Sequence, residues 1–285
     1  MSAKSNSRKD LETSLGTSST GAQLTCTPKR LPEHLWERAA RNAIKIEPRN
    51  FARAERLVRL TPEATPTALR IAAITDRKWP VSGVKLTVGF LDNPEAALRK
   101  RILLHMNAWG KTANVRFVES KTNPQVRIAR EGGANGGYWS YLGTEILEIP
   151  KGQQTMNLEA FTMQTPESEF HRVVRHETGH TLGFPHEHMR KELVKLIDPK
   201  KAIAYFGETQ GWSPEEVRQQ VLTPLDDKTL IATAHADENS IMCYQIPGVV
   251  TKSGKPILGG LDIDASDYAF AAQLYPKPSK MKHHA

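Results

Sequence analysis

The sequence predicts an α+β fold, in which a half built of strands and helices is followed by a less regular, more helical half. Three observations carry this reading. Residues 84–90, "VKLTVGF", alternate with the period of a half-buried strand and are followed by an amphipathic helix. Four further strand-like runs crowd residues 114–161, and a second strong helix follows at 168–184. After residue 190 only "SPEEVRQQVL" (213–222) keeps a clear helical pattern. At 285 residues, 39% apolar and 25% charged, the chain can bury a sizeable core and has a globular composition.

Taken in order, residues 1–30 are rich in Ser, Thr, Lys and Gly and are expected to lack stable structure. "LPEHLWERAARNAIKI" (31–46) sets Leu31, Leu35, Trp36, Ala39, Ala43 and Ile46 near one helical face, with Pro32 suited to a first turn. "FARAERLVRL" (51–60) reads as a second, basic helix, and the prolines of 61–68 mark a linker. In "NPEAALRKRILLHMNAW" (93–109), Asn93 is the expected cap, and Leu98, Ile102, Met106 and Trp109 fall on one face. "NVRFVES" (114–120), "QVRIARE" (125–131), "TEILEI" (144–149) and "GQQTMNLEAF" (152–161) are the expected strands. "SEFHRVVRHETGHTLGF" (168–184) is a helix with Phe170, Val173, Val174 and Leu182 apolar.

The bulk numbers exclude several function classes. No apolar run reaches the length of a membrane span, and the first residues carry no apolar core of a signal peptide. The net charge of +8 is scattered, so the expectation is a solvated basic surface and no nucleic-acid partner. Two cysteines, Cys26 and Cys243, are too few for a disulfide scaffold or a four-cysteine metal cluster. A metal would have to be held mainly by histidine and carboxylate.

The stretch "HETGHTLGFPHEH" (176–188) holds four histidines, two glutamates and two glycines. His176 and His180 stand one helical turn apart, about 40° from each other around the axis, so both imidazoles can grip one ion. Had the helix continued, His186 would point well away from them. Gly183 and Pro185 supply the stop: glycine takes a left-handed conformation past a helix end, and proline prevents continuation. The chain can then swing His186 back as a third ligand. Three histidines leave a fourth position open, the pattern of one catalytic Zn2+ with a water. Neutral ligands leave the ion's charge to favour ionising that water. Glu177, directly after the first ligand, is placed to take the water's proton and pass it to a leaving amine. A bare His-Glu-x-x-His would arise by chance in roughly 3% of such chains; adding Gly and His at these offsets lowers this to roughly one in ten thousand.

The stretch resembles the metzincin zinc signature His-Glu-x-x-His-x-x-Gly-x-x-His. "SIMCY" (240–244) resembles the clan's methionine turn, with Met242 as an apolar floor beneath the metal. Glu187 with Arg190, and Tyr244 two residues past Met242, resemble the astacin branch of metallopeptidases. "RKWP" (77–80), "VRFVE" (115–119) and "LDIDASDYAFAAQLYP" (261–276) fit more weakly. The chain departs from astacins in carrying Cys243 where they usually have histidine, and in lacking their usual disulfides.

The resemblance implies an α+β, two-subdomain catalytic domain with a twisted, mostly parallel sheet and two long helices, then an irregular helical subdomain. It implies a zinc-dependent metalloendopeptidase with Glu177 and Tyr244 catalytic, His176, His180 and His186 on zinc, and Gly183, Met242 and Glu187 structural. Tyr244 would be a fifth ligand or a donor to the oxyanion, against a core tyrosine beside a turn. Glu187 would pair with a matured amino terminus, against a solvated charge. "GQQTMNLEA" is the candidate strand for pairing with an extended substrate, against a plain core strand. The alternative function is a catalytically silent zinc-containing binding module.

The expected organisation is an N-terminal extension at 1–70, a catalytic domain at 71–276 and a basic tail at 277–285. The extension is either a propeptide, processed near Arg70, or permanent. The expected partner is a protein or peptide substrate, with neither nucleic acid nor membrane, and the protein is expected to be a monomer. The family is mostly exported. Cys26 could block the metal as a thiolate, yet "LTCTPK" resembles no inhibitory motif. His171, His188, His34, His105, His235, His283 and His284 are expected to play no part in the site.

Overall fold

The computed structural model describes residues 26, 29–52, 54–55, 75–186, 191–224, 239–243 and 245–278. The expected disordered start, most of the helix expected at 51–60, the linker, and the ends of the zinc stretch and of the tail lie outside them. Helix α1 (Trp36–Ile46) follows a 3₁₀ turn at Glu33–Leu35 and buries Ala39, Ala40 and Ala43. Among the described residues a five-stranded sheet forms from β1 (Val84–Phe90), β2 (Val115–Glu119), β3 (Val126–Ala129), β4 (Tyr138–Ser140) and β5 (Met156–Leu158), in the order β2-β1-β3-β5-β4. All pairings are parallel except β4 with β5. Val126, Ile128 and Ala129 of β3 are all buried, as expected for a parallel strand covered on both faces.

Helix α2 (Ala96–Met106) presses Leu98, Ile102 and Met106 into this core. It starts later than the sequence suggests. Asn93 takes a positive φ of 46° and Glu95 stands at the N-cap without a side-chain cap bond, so Asn93 makes the turn before the helix instead of capping it. The strand expected at 144–149 is a correction: Gly143–Leu147 is a 3₁₀ turn. Gly143 has φ 50°, and the next amide, Thr144 N–H, donates to the Arg77 carbonyl (2.9 Å), which turns the chain away from the sheet. Ile146 and Ile149, three residues apart, are both buried, while Glu145 pairs with Arg77 and Glu148 with Arg38. The edge strand β4 is not legible in the sequence because its glycine-rich flank, "GGANGG", reads as loop.

Helix α3 runs in three consecutive pieces: Glu167–Glu169, a π-helical Phe170–Val174, and Arg175–Thr181. Three aromatic side chains hold it by its backbone carbonyls. Trp109 Nε1 donates to Arg175 O (2.9 Å), Trp79 Nε1 to Thr181 O (2.8 Å) and Tyr275 Oη to Leu182 O (2.6 Å). The last two satisfy carbonyls at the C-terminal end, where the helix has no partner of its own.

The second half contains α4 (Lys191–Val194), α5 (Pro199–Gln210), α6 (Pro214–Val217), which continues as a π-helical Arg218–Leu222, and α7 (Ala265–Leu274). Helix α7 joins the first core through Ala271 and Leu274, and the rest packs its own core around Ile197, Phe206, Val217, Val221, Ile246 and Ile257. Ile241 and Met242 belong to the first core and Cys243 to the second, so the methionine turn joins the two subdomains. The α+β, two-subdomain architecture expected from the sequence is the one observed. No helix among the described residues is long and apolar enough to cross a membrane.

Candidate active site

The last turns of α3 carry His176, Glu177 and His180 on a buried face. Gly183, at φ 91°, ends the helix, and its N–H still reaches His180 O (2.8 Å). The chain then turns through Phe184 and Pro185 and delivers His186 to the other two rings. His186 Nε2 lies 3.2 Å from His176 Nε2 and 2.9 Å from His180 Nε2. All three imidazoles are about 95% shielded from solvent.

The far side of two rings is fixed by the backbone. His176 Nδ1–H donates to Ile241 O, and His180 Nδ1–H donates to Phe184 O (2.7 Å). With Nδ1 protonated, a neutral imidazole turns a bare Nε2 lone pair inward. Burial also drops the His180 pKa to about 4, which keeps that ring neutral. A single proton on His186 Nε2 could serve only one of its two close contacts, so at least one pair of lone pairs would still face each other. A divalent cation relieves that repulsion, and the donor set suits zinc. Glu177 is fully buried, and its Oε2 has no hydrogen-bond partner. Burial raises its carboxyl to about 8, against a lowering hydrogen bond from Cys26 and the charge of Arg172.

Beneath the rings lies the methionine turn. Met242 Sδ would sit 2.3 Å from a Cβ placed on Gly179, so the floor fits only because position 179 has no side chain. The turn is held from α7. Ser240 Oγ–H and Ile241 N–H donate to the two carboxylate oxygens of Asp267 (2.6 and 2.8 Å). Asp267 thus positions the Ile241 carbonyl that fixes His176. Sequence pattern alone assigns Asp267 no such role, although the Asp264–Asp267 capping box is a visible cue.

The structure brings together His176, His180, His186, Glu177, Gly183 and Met242. Glu187 and Tyr244 lie outside the described residues. It adds Cys26, whose Sγ is 3.5 Å from His180 Nε2 and forms one group of candidate ligand atoms with the three histidines. His171 and His105, expected to play no part in the site, make their contacts elsewhere. His171 Nδ1 meets Asp262 (3.0 Å), and both rings contact Arg175. The substrate-pairing strand also needs correction. "GQQTMNLEA" forms β5, which is paired on both sides, whereas β4 is the sheet's edge.

The model of the astacin peptidase family matches residues 72–249. The chain belongs to the astacin family. Its similarity to solved astacin-type structures includes myroilysin, at 32% identity and a TM-score of 0.64, covering 71% of this chain and 97% of that one. Curated relatives include the zinc metalloproteinase nas-27 of Caenorhabditis elegans, 24% identical over 187 residues and 65% of this chain. They also include the dorsal-ventral patterning protein tolloid of Drosophila melanogaster, 27% identical over 203 residues and 69% of this chain. The matched part spans only 38% and 17% of those two proteins. Within the astacin family, this chain's described cysteines are both free and buried.

Proposed function

We propose that this chain is a zinc-dependent metalloendopeptidase acting on protein or peptide substrates as a monomer. Its catalytic domain is residues 71–276, with 1–70 an N-terminal extension removed as a propeptide and 277–285 a basic tail. The observation that carries the reading is the convergence of three buried Nε2 atoms, two fixed by Nδ1–H bonds to backbone carbonyls, beside a buried and unpartnered carboxylate oxygen.

His176, His180 and His186 hold the ion. When bound, zinc supplies Lewis acidity that activates a water and polarises the scissile carbonyl. Glu177 accepts the proton of the attacking water and later returns it to the leaving amine. Tyr244 donates to the developing oxyanion. Met242 keeps the floor apolar and firm, Gly183 allows His186 to return, and Glu187 has a structural role. The outer edge of β4, where Cys26 now bridges Tyr138, would offer backbone N–H and C=O groups to an extended peptide once that segment leaves. With water largely excluded around the rings, each of these interactions is stronger than it would be in bulk solvent.

The test pairs elemental analysis for zinc with digestion of a casein substrate. The parent chain and Glu177→Gln are compared, each with and without Cys26→Ala, because Cys26 lies at the same site. One zinc per chain throughout, with the cleavage shown by Cys26→Ala lost when Glu177→Gln is added, supports the reading. Equal cleavage with and without Glu177 in an active Cys26→Ala background, or the absence of zinc, overturns it.

A further inference from the structure

We propose that the chain carries a second metal site, in which His105, Glu167 and His171 hold a zinc-class divalent cation between α2 and α3. None of these side chains belongs to the three-histidine centre, so the site stands or falls apart from the zinc reading of that centre.

Two helices build the site. His105 lies in the last turn of α2, and Glu167 and His171 lie four residues apart at the start of α3. That spacing sets the carboxylate and the imidazole on one helical face. The three residues offer ligand atoms that all lie within 4.8 Å of one another. Glu167 Oε1 is 3.1 Å from His105 Nε2 and 3.4 Å from His171 Nε2. Bonds of the usual zinc lengths place neighbouring nitrogen and oxygen donors about 3.3 Å apart around a tetrahedron. The His105 and His171 ring centres are 5.1 Å apart, inside the 4.4–5.2 Å spread of the His176, His180 and His186 rings.

His105 is the side chain that points to a ligand. It is 1% exposed, and its Nε2 makes no hydrogen bond among the described residues. Burial drops its pKa to about 4, so the ring is neutral at pH 7 and its contact with Glu167 is no ion pair. A buried polar nitrogen without a partner is costly, and a cation on its lone pair removes that cost. The other two groups are oriented for the same ion. His171 Nδ1 lies 3.0 Å from Asp262 Oδ2, and an Nδ1–H donated there leaves a bare Nε2 lone pair. Glu167 Oε2 accepts from Arg101 (2.6 Å), which leaves Oε1 for the metal. Two imidazoles and one carboxylate suit zinc and its neighbours, whereas calcium and magnesium take oxygen donors. The Glu167 and His171 side chains are 57% and 31% exposed, so an ion can enter and water can fill the fourth position.

Arg175 competes with the cation. Its Nη2 is 3.2 Å from His171 Nε2, and its Nε donates to His105 Nδ1 (3.3 Å). Metal on both Nε2 atoms puts a proton on His105 Nδ1, so the guanidinium must withdraw from both rings and keep only its pairing with Asp262. Partly exposed and opposed by this charge, the site is weaker than the three-histidine centre. The second ion therefore binds only when free zinc is raised above what fills the first.

The test dialyses the full chain against rising free zinc and counts bound metal by elemental analysis. The parent is expected to take up one further zinc, and Glu167→Gln and His171→Gln to lose that uptake while keeping the first ion. Both positions are partly exposed, and thermal melting of the metal-free chains checks their folding. Arg175→Met should tighten the second ion by roughly tenfold, because a competing charge is gone; affinity at or below the parent's counts against the ligand set. Replacing His283 and His284 in the tail by alanine should leave the uptake unchanged. No further ion in the parent, equal uptake in both glutamine variants, or loss of uptake with the tail histidines overturns the second site and leaves the three-histidine centre untouched. A parent that takes up a single zinc, lost in both glutamine variants, supports this site and overturns the zinc reading of the other.

Discussion

Gly183→Ala perturbs the turn on which the third histidine depends. Gly183 has φ 91°, where an L-residue is strained by about 1–2 kcal/mol. The new Cβ would also lie 3.1 Å from Arg77 O and 3.4 Å from Lys78 Cα, so backbone on the facing segment must give way. Together these predict a loss of about 2–3 kcal/mol. The damage reaches the metal because Phe184 O, one residue on, takes the His180 Nδ1–H bond, and His186 follows two residues later. Losing such an orienting bond weakens metal binding by about 10–100-fold. Urea unfolding of the metal-free chain reads the first quantity, and competition with a chromophoric chelator reads the second. If Gly183→Ala stays within about 0.5 kcal/mol of the parent and binds zinc equally well, the turn is not what positions His186.

Other perturbations test the surroundings. Gly179→Ala drives a Cβ to 2.3 Å from Met242 Sδ and should cost about 1–3 kcal/mol; in the Met242→Ala background the cost should largely vanish, and additive losses in a double-mutant cycle would contradict the contact. Asp267→Ala frees Ser240 Oγ and Ile241 N and should lower stability by about 1–3 kcal/mol with weaker zinc affinity; an unchanged affinity would separate α7 from the metal site. His105 is buried, and desolvation drops its pKa to about 4 despite the nearby Glu167 carboxylate. The unfolded chain therefore binds that proton first, and the stability of the neutral ring, full above pH 6.5, is lost as pH falls towards 4. The stability gap between the parent and His105→Asn, measured by denaturant midpoints, should narrow from pH 7 to pH 5; a constant gap would mean that His105 does not titrate differently on folding.

Much of this site was legible because its chemistry is local. The spacing of His176 and His180, the stop at Gly183 and Pro185, and the return of His186 all lie within eleven residues, so helix geometry alone relates them. The same holds for β1 and α2, whose periods are uninterrupted. What escaped the sequence is non-local or masked by composition. Asp267 reaches the methionine turn from 26 residues away, and Cys26, which the sequence names as a candidate block but supports with no motif, meets His180 across 154. Neither distance leaves a trace in local pattern. Three-residue β4 is too short for alternation to appear, and the 3₁₀ turn at Gly143–Leu147 imitates a strand because it is a short run of apolar and β-branched residues mixed with glutamate. Helix α5 was readable in principle: Asp198 caps it, Pro199 opens it and Gly211 at φ 68° closes it. Its weak apolar pattern hid signals that its ends display openly.

The central claim is that Glu177 performs chemistry at a metal held by His176, His180 and His186. Its most direct test compares Cys26→Ala with Cys26→Ala/Glu177→Gln for zinc content and peptide cleavage in the same preparations. The account predicts one zinc per chain in both and a fall in cleavage of about 10²–10⁴-fold in the double variant. Equal cleavage rates at equal zinc content would contradict it.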